Sequence, residues 1–121
     1  MSIKAESRAA RVMVVDDQKL VMQSMVLALD MLGLKVNGHT CALEALEALE
    51  ASPSHYDLLI ADQRMPSLTG DELISKAKLI QPSIATVICS GLPSIETEGA
   101  DAFLLKPFEI DQLQKVLEEV L

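Results

Sequence analysis

Short apolar runs alternate with longer stretches of helical periodicity along the whole chain, and this alternation limits the possible folds more than any other feature. The run VMVVD at 12–16 is typical of a strand buried on both faces, and DLLIA at 57–61 is a second such run. Strands that alternate with helices predict an α/β domain in which helices cover both faces of a parallel sheet. The predicted strands cover residues 12–16, 34–39, 57–61, 84–89 and 102–105, and the predicted helices cover residues 18–32, 42–51, about 70–80 and 109–121.

The composition fits one domain with an aliphatic core. The chain has 121 residues, half of them apolar, and its aromatic residues are only Tyr56, Phe103 and Phe108. The formal net charge of −8 argues against nonspecific binding to nucleic acid or to an anionic membrane surface. Cys41 and Cys89 are too few for a disulfide framework and predict two free thiols in a reducing cytoplasm.

No segment has the character of a membrane span or a signal peptide. No apolar run reaches the roughly 18 residues that a membrane helix requires. The first residues, MSIKAESRAAR, lack the apolar core of a secretory signal. We therefore expect a cytoplasmic protein without a membrane partner.

Three carboxylates follow two of the predicted strands. Asp16 and Asp17 come at the end of the first strand, and Asp62 comes directly after the third. In a common strand order for such sheets these two strands are neighbours, and ligands bind at the carboxyl ends of the strands. Converging carboxylates repel one another, and Mg²⁺, which prefers oxygen ligands, would relieve that repulsion. The alternative for the adjacent pair alone is that Asp16 and Asp17 cap the first helix.

Two further polar residues follow the fourth and fifth strands. Ser90 comes after the fourth strand in CSG, and Lys106 follows the fifth strand directly before Pro107. A lysine beside three acids supplies positive charge for a phosphoryl group, and a serine hydroxyl can donate a hydrogen bond to a phosphoryl oxygen. Taken singly, each also fits an ordinary surface lysine or turn serine. Their arrangement at one edge of the sheet predicts a phosphoryl site.

These pieces resemble a response-regulator receiver domain of the CheY-like superfamily. The resemblance rests on VMVVDD (12–17), DLLIADQRMP (57–66), SG (90–91) and FLLKPF (103–108), and it covers the chain from about Arg11 to Leu121. Residues 1–10 are then an N-terminal leader, and 11–121 form the receiver domain. The family implies a (βα)5 flavodoxin-like, doubly wound parallel sheet with strand order 2-1-3-4-5.

The resemblance also implies a role for each matching residue at the acidic edge. Asp62 would be the nucleophile that accepts a phosphoryl group from a phosphohistidine. Asp17 would bind Mg²⁺ directly and Asp16 largely through water, and the backbone carbonyl of Arg64 would complete the protein ligands. The phosphohistidine would belong to a histidine kinase or a histidine phosphotransfer protein, and the downstream protein is unknown.

The family further implies a switch. Ser90 and Lys106 would contact the phosphoryl group, and Phe103 would stand where relatives carry an aromatic switch residue. In such a switch the hydroxyl moves toward the phosphate and the aromatic ring turns inward. Phe103 has no hydroxyl, so it cannot make the polar surface contact that a tyrosine makes.

The connection from Ser90 to Phe103 departs from the family because it is about half a dozen residues shorter than usual. Pro93 resists helix before it and Gly99 favours a helix end, so at most one or two turns fit between Ser94 and Glu98. The family's fourth helix is therefore predicted to be shortened or absent. That helix contributes to the family's usual output and dimer face. Output through another surface, such as one involving the first helix, is therefore an alternative to ordinary signalling with a trimmed loop.

Two other functions remain open at this level. The first is a phosphorylation-independent pseudo-receiver that binds proteins as an adaptor. The second is a small Mg²⁺-dependent phosphatase with an aspartate nucleophile; that class carries a second acid two residues later, where this chain has Arg64. A receiver catalyses only its own phosphorylation and dephosphorylation. It can be free-standing or one part of a hybrid sensor kinase.

Overall fold

A computed structural model describes residues 9–91 and 99–121 of the chain. Over these residues the chain forms five strands and four helices, each within one or two residues of its predicted position. The elements run in the order β1 (Arg11–Val15), α1 (Lys19–Met31), β2 (Lys35–His39), α2 (Ala42–Ala51), β3 (Leu58–Ala61), α3 (Gly70–Ile80), β4 (Ala85–Ser90), β5 (Ala102–Leu105) and α4 (Ile110–Val120).

The five strands form one parallel sheet in the order β2-β1-β3-β4-β5, which confirms the predicted flavodoxin-like topology. The register sets the strand ends nearly level. Val15 pairs with Ala61 across β1 and β3, and Ser90 pairs with Leu105 across β4 and β5. The residues that follow these strands therefore meet at one edge of the sheet.

Two hydrophobic clusters lie on the two faces of the sheet, because alternate residues of each strand point to opposite sides. Helices α1 and α4 cover the first face, where Val14, Ile60 and Cys89 pack with Met25 and Leu113. Helices α2 and α3 cover the second face. Its cluster includes Val15, Ala61 and Ile88 from the strands and Leu49 and Leu73 from the helices. Burial of β1, β3 and β4 on both faces explains their continuous apolar sequences.

Local signals account for two of the helix ends. Gly33 follows α1 with φ of 89°, a left-handed conformation that glycine adopts without strain. Its N–H donates to the carbonyl of Asp30, and the N–H of Leu34 donates to the carbonyl of Leu29, as in a Schellman motif. Helix α3 begins with a capping box, in which Thr69 and Glu72 satisfy each other's backbone N–H groups.

Ile110, the first residue of α4, is 42% exposed, because the contact of the helix with the sheet begins one turn later at Leu113. The shortened fourth helix of the family, predicted between Ser94 and Glu98, lies outside the described residues. Within the described ranges, no helix has both the length and the apolar character required to cross a membrane.

Candidate functional site

Asp16, Asp17 and Asp62 converge at the carboxyl edge of the sheet, as the strand ends predict. One oxygen from each carboxylate lies within 4.8 Å of the others. The backbone fixes this approach, because the N–H of Asp62 donates to the carbonyl of Val15 at 2.9 Å and holds β3 beside β1. Asp16 is buried, Asp62 is half-buried and Asp17 is exposed. Three hard oxygen donors at this spacing fit Mg²⁺, which binds through a few carboxylates and keeps several waters.

Lys106 closes the acidic cluster from the side of β5. Its ammonium Nζ donates to Oδ2 of Asp16 at 2.7 Å and to Oδ1 of Asp62 at 3.3 Å. The N–H of Lys106 donates to the carbonyl of Ser90 at 2.8 Å, so the β4–β5 ladder positions the start of the side chain. The peptide bond from Lys106 to Pro107 is cis. The ammonium partly balances the carboxylates that would surround a metal ion.

Neither Asp16 nor Asp17 caps α1, which was the alternative role for this pair. The cap residue is Gln18, and no side chain caps this helix end. Oδ1 of Asp16 instead accepts a hydrogen bond from the N–H of Gln18 at 2.9 Å, within the turn that precedes the helix. Asp16 thus orients the turn with one oxygen and meets Lys106 with the other.

The charges at this edge are unevenly balanced. Burial raises the pKa of Asp62, and the charges of Asp16 and Asp17 raise it further, although Lys106 opposes them. Burial alone would lower the pKa of Lys106, but its hydrogen bond to Asp16 and the nearby carboxylates outweigh burial and raise it. Ionised Asp62 is therefore unfavourably placed, and a further cation at this edge would stabilise it.

The other predicted site residues lie close to this edge with different exposures. Ser90 ends β4 and is buried. Phe103, on β5, pairs with Ile88 and packs half-buried against the cluster on the α2–α3 face. Arg64 lies in the β3–α3 loop with an exposed side chain. The structure thus brings the acids and Lys106 together and leaves the side chain of Arg64 in solvent.

A cleft of about 530 Å³ opens beside the acidic cluster on the α1–α4 side of the sheet. Val21 and Met25 of α1 line the cleft together with Phe108. Cys89 contributes to the lining, and burial raises the pKa of its thiol to about 12, so it stays protonated at neutral pH. Neither Cys41 nor Cys89 forms a disulfide, as predicted. The cleft connects an apolar helix face directly to Asp62 and Lys106.

The sequence reasoning missed a pair of polar side chains beside the acidic cluster. The side-chain amide of Gln63 donates to Oδ2 of Asp71 at 2.7 Å and accepts from the N–H of Asp71 at 2.9 Å. The N–H of Gly70 donates to the carbonyl of Gln63 at 3.0 Å. The one available signal was the TGDE pattern at 69–72, which marks a helix start with an acid in its first turn but not the partner of that acid.

Comparison with known proteins places the chain in a family. Residues 12–118 match the model of the response regulator receiver domain. The chain is 29% identical over 121 residues to the sensor kinase CckA of Brucella abortus, covering 95% of this chain but only 13% of that protein.

Solved structures share the fold of this chain. The chemotaxis protein CheY4 of Vibrio cholerae superimposes with a TM-score of 0.85 at 27% identity, over 94% of this chain and 100% of the other. The response regulator TrrA of Thermotoga maritima, solved in complex with Mg²⁺ and BeF, has a TM-score of 0.82 at 22% identity, over 93% and 99% of the two chains. With a family match that spans nearly all of its strands and helices, the chain belongs to the response regulator receiver domains of two-component signalling.

Proposed function

We propose that this receiver accepts a phosphoryl group on Asp62 in a Mg²⁺-dependent reaction and thereby controls a partner protein. The observation that carries the proposal is the convergence of Asp16, Asp17 and Asp62 within 4.8 Å, with Lys106 bound to two of them. A pocket that brings together a nucleophile, a set of hard oxygen donors and a fixed cation meets the main requirements of phosphoryl transfer, which are alignment and charge neutralisation.

In this proposal Mg²⁺ has three direct protein ligands, which are Asp17, Asp62 and the backbone carbonyl of Arg64. Asp16 would contribute largely through water. The bound ion supplies positive charge to the phosphoryl oxygens. Asp16 is already fixed by hydrogen bonds with Gln18 and Lys106, so its carboxylate would be held in place beside the ion. The raised pKa of Asp62 supports the need for this cation, since its carboxylate is partly buried and also lies among like charges.

Asp62 acts as the nucleophile. One of its carboxylate oxygens forms a bond to phosphorus as the bond from phosphorus to the donor's imidazole nitrogen breaks. The product is an acyl phosphate, which is a reversible, energy-rich store of the signal. The ammonium of Lys106 then donates a hydrogen bond to a phosphoryl oxygen in place of one to a carboxylate. The hydroxyl of Ser90 donates a hydrogen bond to another phosphoryl oxygen. Ser90 and Phe103 together form the switch, since both lie on strands next to the site.

The phosphoryl donor is a histidine kinase or a histidine phosphotransfer protein, and we place its docking surface along the cleft beside α1. The apolar side chains of Val21 and Met25 line this cleft up to Asp62, so a helix of the donor packed there would carry its histidine to the nucleophile. Because such a donor ultimately draws its phosphoryl group from ATP, we infer that the reaction takes place in the cytoplasm. Beyond its own acyl phosphate, the domain would turn over no substrate.

The test is incubation with acetyl phosphate or a phosphorylated histidine domain in the presence of Mg²⁺, followed by intact-mass measurement. We expect the mass to increase by one phosphoryl group, the increase to require Mg²⁺, and Asp62→Ala to abolish it. An unchanged mass with intact Asp62, in parallel with an unchanged spectrum in beryllofluoride and Mg²⁺, would instead favour a phosphorylation-independent adaptor. Profiling against a panel of histidine kinases would then identify the cognate donor.

A further inference from the structure

The two ends of the loop that follows Asp62 are joined by a pair of residues that the phosphoryl chemistry does not use. Gln63 and Asp71 face each other across the two ends of this loop and exchange two hydrogen bonds, at 2.7 and 2.9 Å. The N–H of Gly70 adds a third at 3.0 Å, to the backbone carbonyl of Gln63. All three bonds fix the residue directly before Arg64.

The backbone of Arg64 is restrained on its other side as well. Met65 is half-buried and packs against the α2–α3 cluster. The peptide planes that flank Arg64 are therefore held by hydrogen bonds on one side and by packing on the other, although its side chain is exposed. This is the arrangement expected of a residue that acts through its main chain.

Asp71 is neither a member of the acidic cluster nor needed to begin α3. Among the described residues, the group of three carboxylates with oxygens within 4.8 Å of one another consists of Asp16, Asp17 and Asp62 and does not include Asp71. The capping box of Thr69 and Glu72 already satisfies the start of the helix. In addition, Oδ1 of Asp71 is buried without a hydrogen-bond partner in the structure, which is unfavourable for a carboxylate retained only as a helix cap.

We propose that Gln63 and Asp71 are positioning residues for the magnesium site, and that they set its affinity by holding the Arg64 carbonyl in place. The proposal rests on the proposed function, since it presumes that this carbonyl is a ligand. Partners outside the coordination shell commonly change metal affinity by about 10- to 100-fold, because they orient the ligands before the ion arrives. Without either side chain the peptide plane that carries the Arg64 carbonyl can move. Binding of the ion must then also order this plane, which weakens the affinity.

The experiment compares Mg²⁺ dissociation constants of the purified chain, measured by calorimetry and by competition with Mn²⁺ in electron paramagnetic resonance. Gln63→Met keeps the side-chain length but loses both hydrogen bonds, and Asp71→Ala removes the partner. We expect each to weaken Mg²⁺ binding about tenfold. Asp71→Asn retains an oxygen that accepts from Gln63 and should recover most of the affinity.

Thr69→Val is the matched control, since it weakens the same helix start without touching Gln63. Urea denaturation gives the free energy of unfolding of each variant. Thr69→Val should be less stable than the wild-type chain yet keep its dissociation constant for Mg²⁺. With acetyl phosphate, Gln63→Met should require more Mg²⁺ for half-maximal phosphorylation but reach nearly the wild-type rate at saturation.

The outcomes separate the two proposals. Wild-type affinity in both Gln63→Met and Asp71→Ala, or an equal loss in Thr69→Val, would overturn the positioning role while leaving the receiver chemistry intact. A wild-type chain that binds no Mg²⁺ would overturn the proposed function and the positioning role with it.

Discussion

Gly70 lies so close to Asp62 that a Cβ atom on Gly70 would be 2.5 Å from the backbone carbonyl oxygen of Asp62. The first turn of α3 therefore packs directly on the main chain of the proposed nucleophile. The contact is with backbone, which cannot rotate away as a long side chain can. Any side chain at position 70 must displace either the helix or the strand end.

Gly70→Ala is accordingly expected to destabilise the domain by about 1–3 kcal/mol, the usual range for overpacking. The same change should slow phosphorylation of Asp62, because the strand end moves with its carboxylate. Urea denaturation and the acetyl phosphate reaction measure the two effects. Gly99→Ala is the control, since its Cβ would lie 3.6 Å from Ile74, an ordinary contact. Equal stability of the two variants would contradict the packing argument.

Replacement of Asp62 by Asn is expected to stabilise the domain at neutral pH in the absence of Mg²⁺. The pKa of Asp62 is raised, first by burial and then by neighbouring acids, so the folded state binds the proton more tightly than the unfolded state. Ionised Asp62 therefore lowers the free energy of unfolding as pH rises from 3.8, the pKa of an unperturbed aspartate, through the raised pKa of the folded state.

Thermal unfolding of wild type and Asp62→Asn across pH, with and without Mg²⁺, tests this expectation. The advantage of the variant should shrink in acid, where Asp62 is protonated in both states. It should also shrink in Mg²⁺, which binds the wild type more tightly than the variant. A variant less stable than wild type at pH 7 without Mg²⁺ would show that the Lys106 contact outweighs the burial of the charge.

Lys106→Met is expected to destabilise the metal-free domain by about 1–3 kcal/mol, because it leaves the buried carboxylate of Asp16 without its charged partner. Added Mg²⁺ should restore part of the loss by supplying another cation. Lys115→Met, on the exposed side of α4, is the control and should stay within about 0.5 kcal/mol of wild type. Chemical denaturation at two Mg²⁺ concentrations distinguishes the variants.

Asp101 is expected to contribute to acid stability. Burial alone would raise its pKa, but hydrogen bonds from the N–H and hydroxyl of Thr86, together with Lys78, outweigh burial and lower it. A lowered pKa gives stability that is present above the unfolded value, near 3.8, and is lost as pH falls toward the folded value. Asp101→Asn should therefore be less stable than wild type at pH 7, and the difference should vanish in acid unfolding.

Ser24→Arg tests the proposed docking cleft. Ser24 lines the cleft on α1, and a long charged side chain there should obstruct a donor helix. We expect phosphotransfer from the cognate histidine domain to slow about tenfold, equivalent to a loss of about 1.4 kcal/mol in binding. Transfer from acetyl phosphate, which needs no docking, should be unchanged. Ser75→Arg changes a serine that is also exposed but lies on α3, and it should leave both reactions unaffected. Parallel losses in the two variants would exclude a specific role for the cleft.

Much of the fold could be predicted because its main signals are local. The apolar runs of β1, β3 and β4 are continuous because helices cover both faces of the sheet. The convergence of Asp16, Asp62 and Lys106 followed from the rule that parallel strands end at one edge. Helical periodicity, however, identifies a buried face without showing how far along the helix the sheet extends, so it does not reveal that Ile110 at the start of α4 is exposed.

The features that escaped prediction depend on partners far apart in sequence or on shape. Thr86 looked like a β-branched strand residue, but its hydroxyl meets Asp101, which lies fifteen residues later. Asp71 looked like a favourable acid in the first turn of a helix, and its partner Gln63 lies across a loop. The need for glycine at position 70 comes from the carbonyl of Asp62, which no local pattern encodes.

The alternation of side chains along the strands has a consequence for how such a domain can diversify. Cys89, Asp62 and Lys106 line the cleft on the α1–α4 side, whereas Ile88 and Phe103 belong to the cluster on the opposite face. Under the proposed roles, the donor cleft lies on one side of the sheet, and the ring of the switch residue Phe103 packs on the other. Substitutions that point to the cleft face can therefore change donor docking while the packing of the switch ring stays in place, so the choice of donor can evolve separately from the switch.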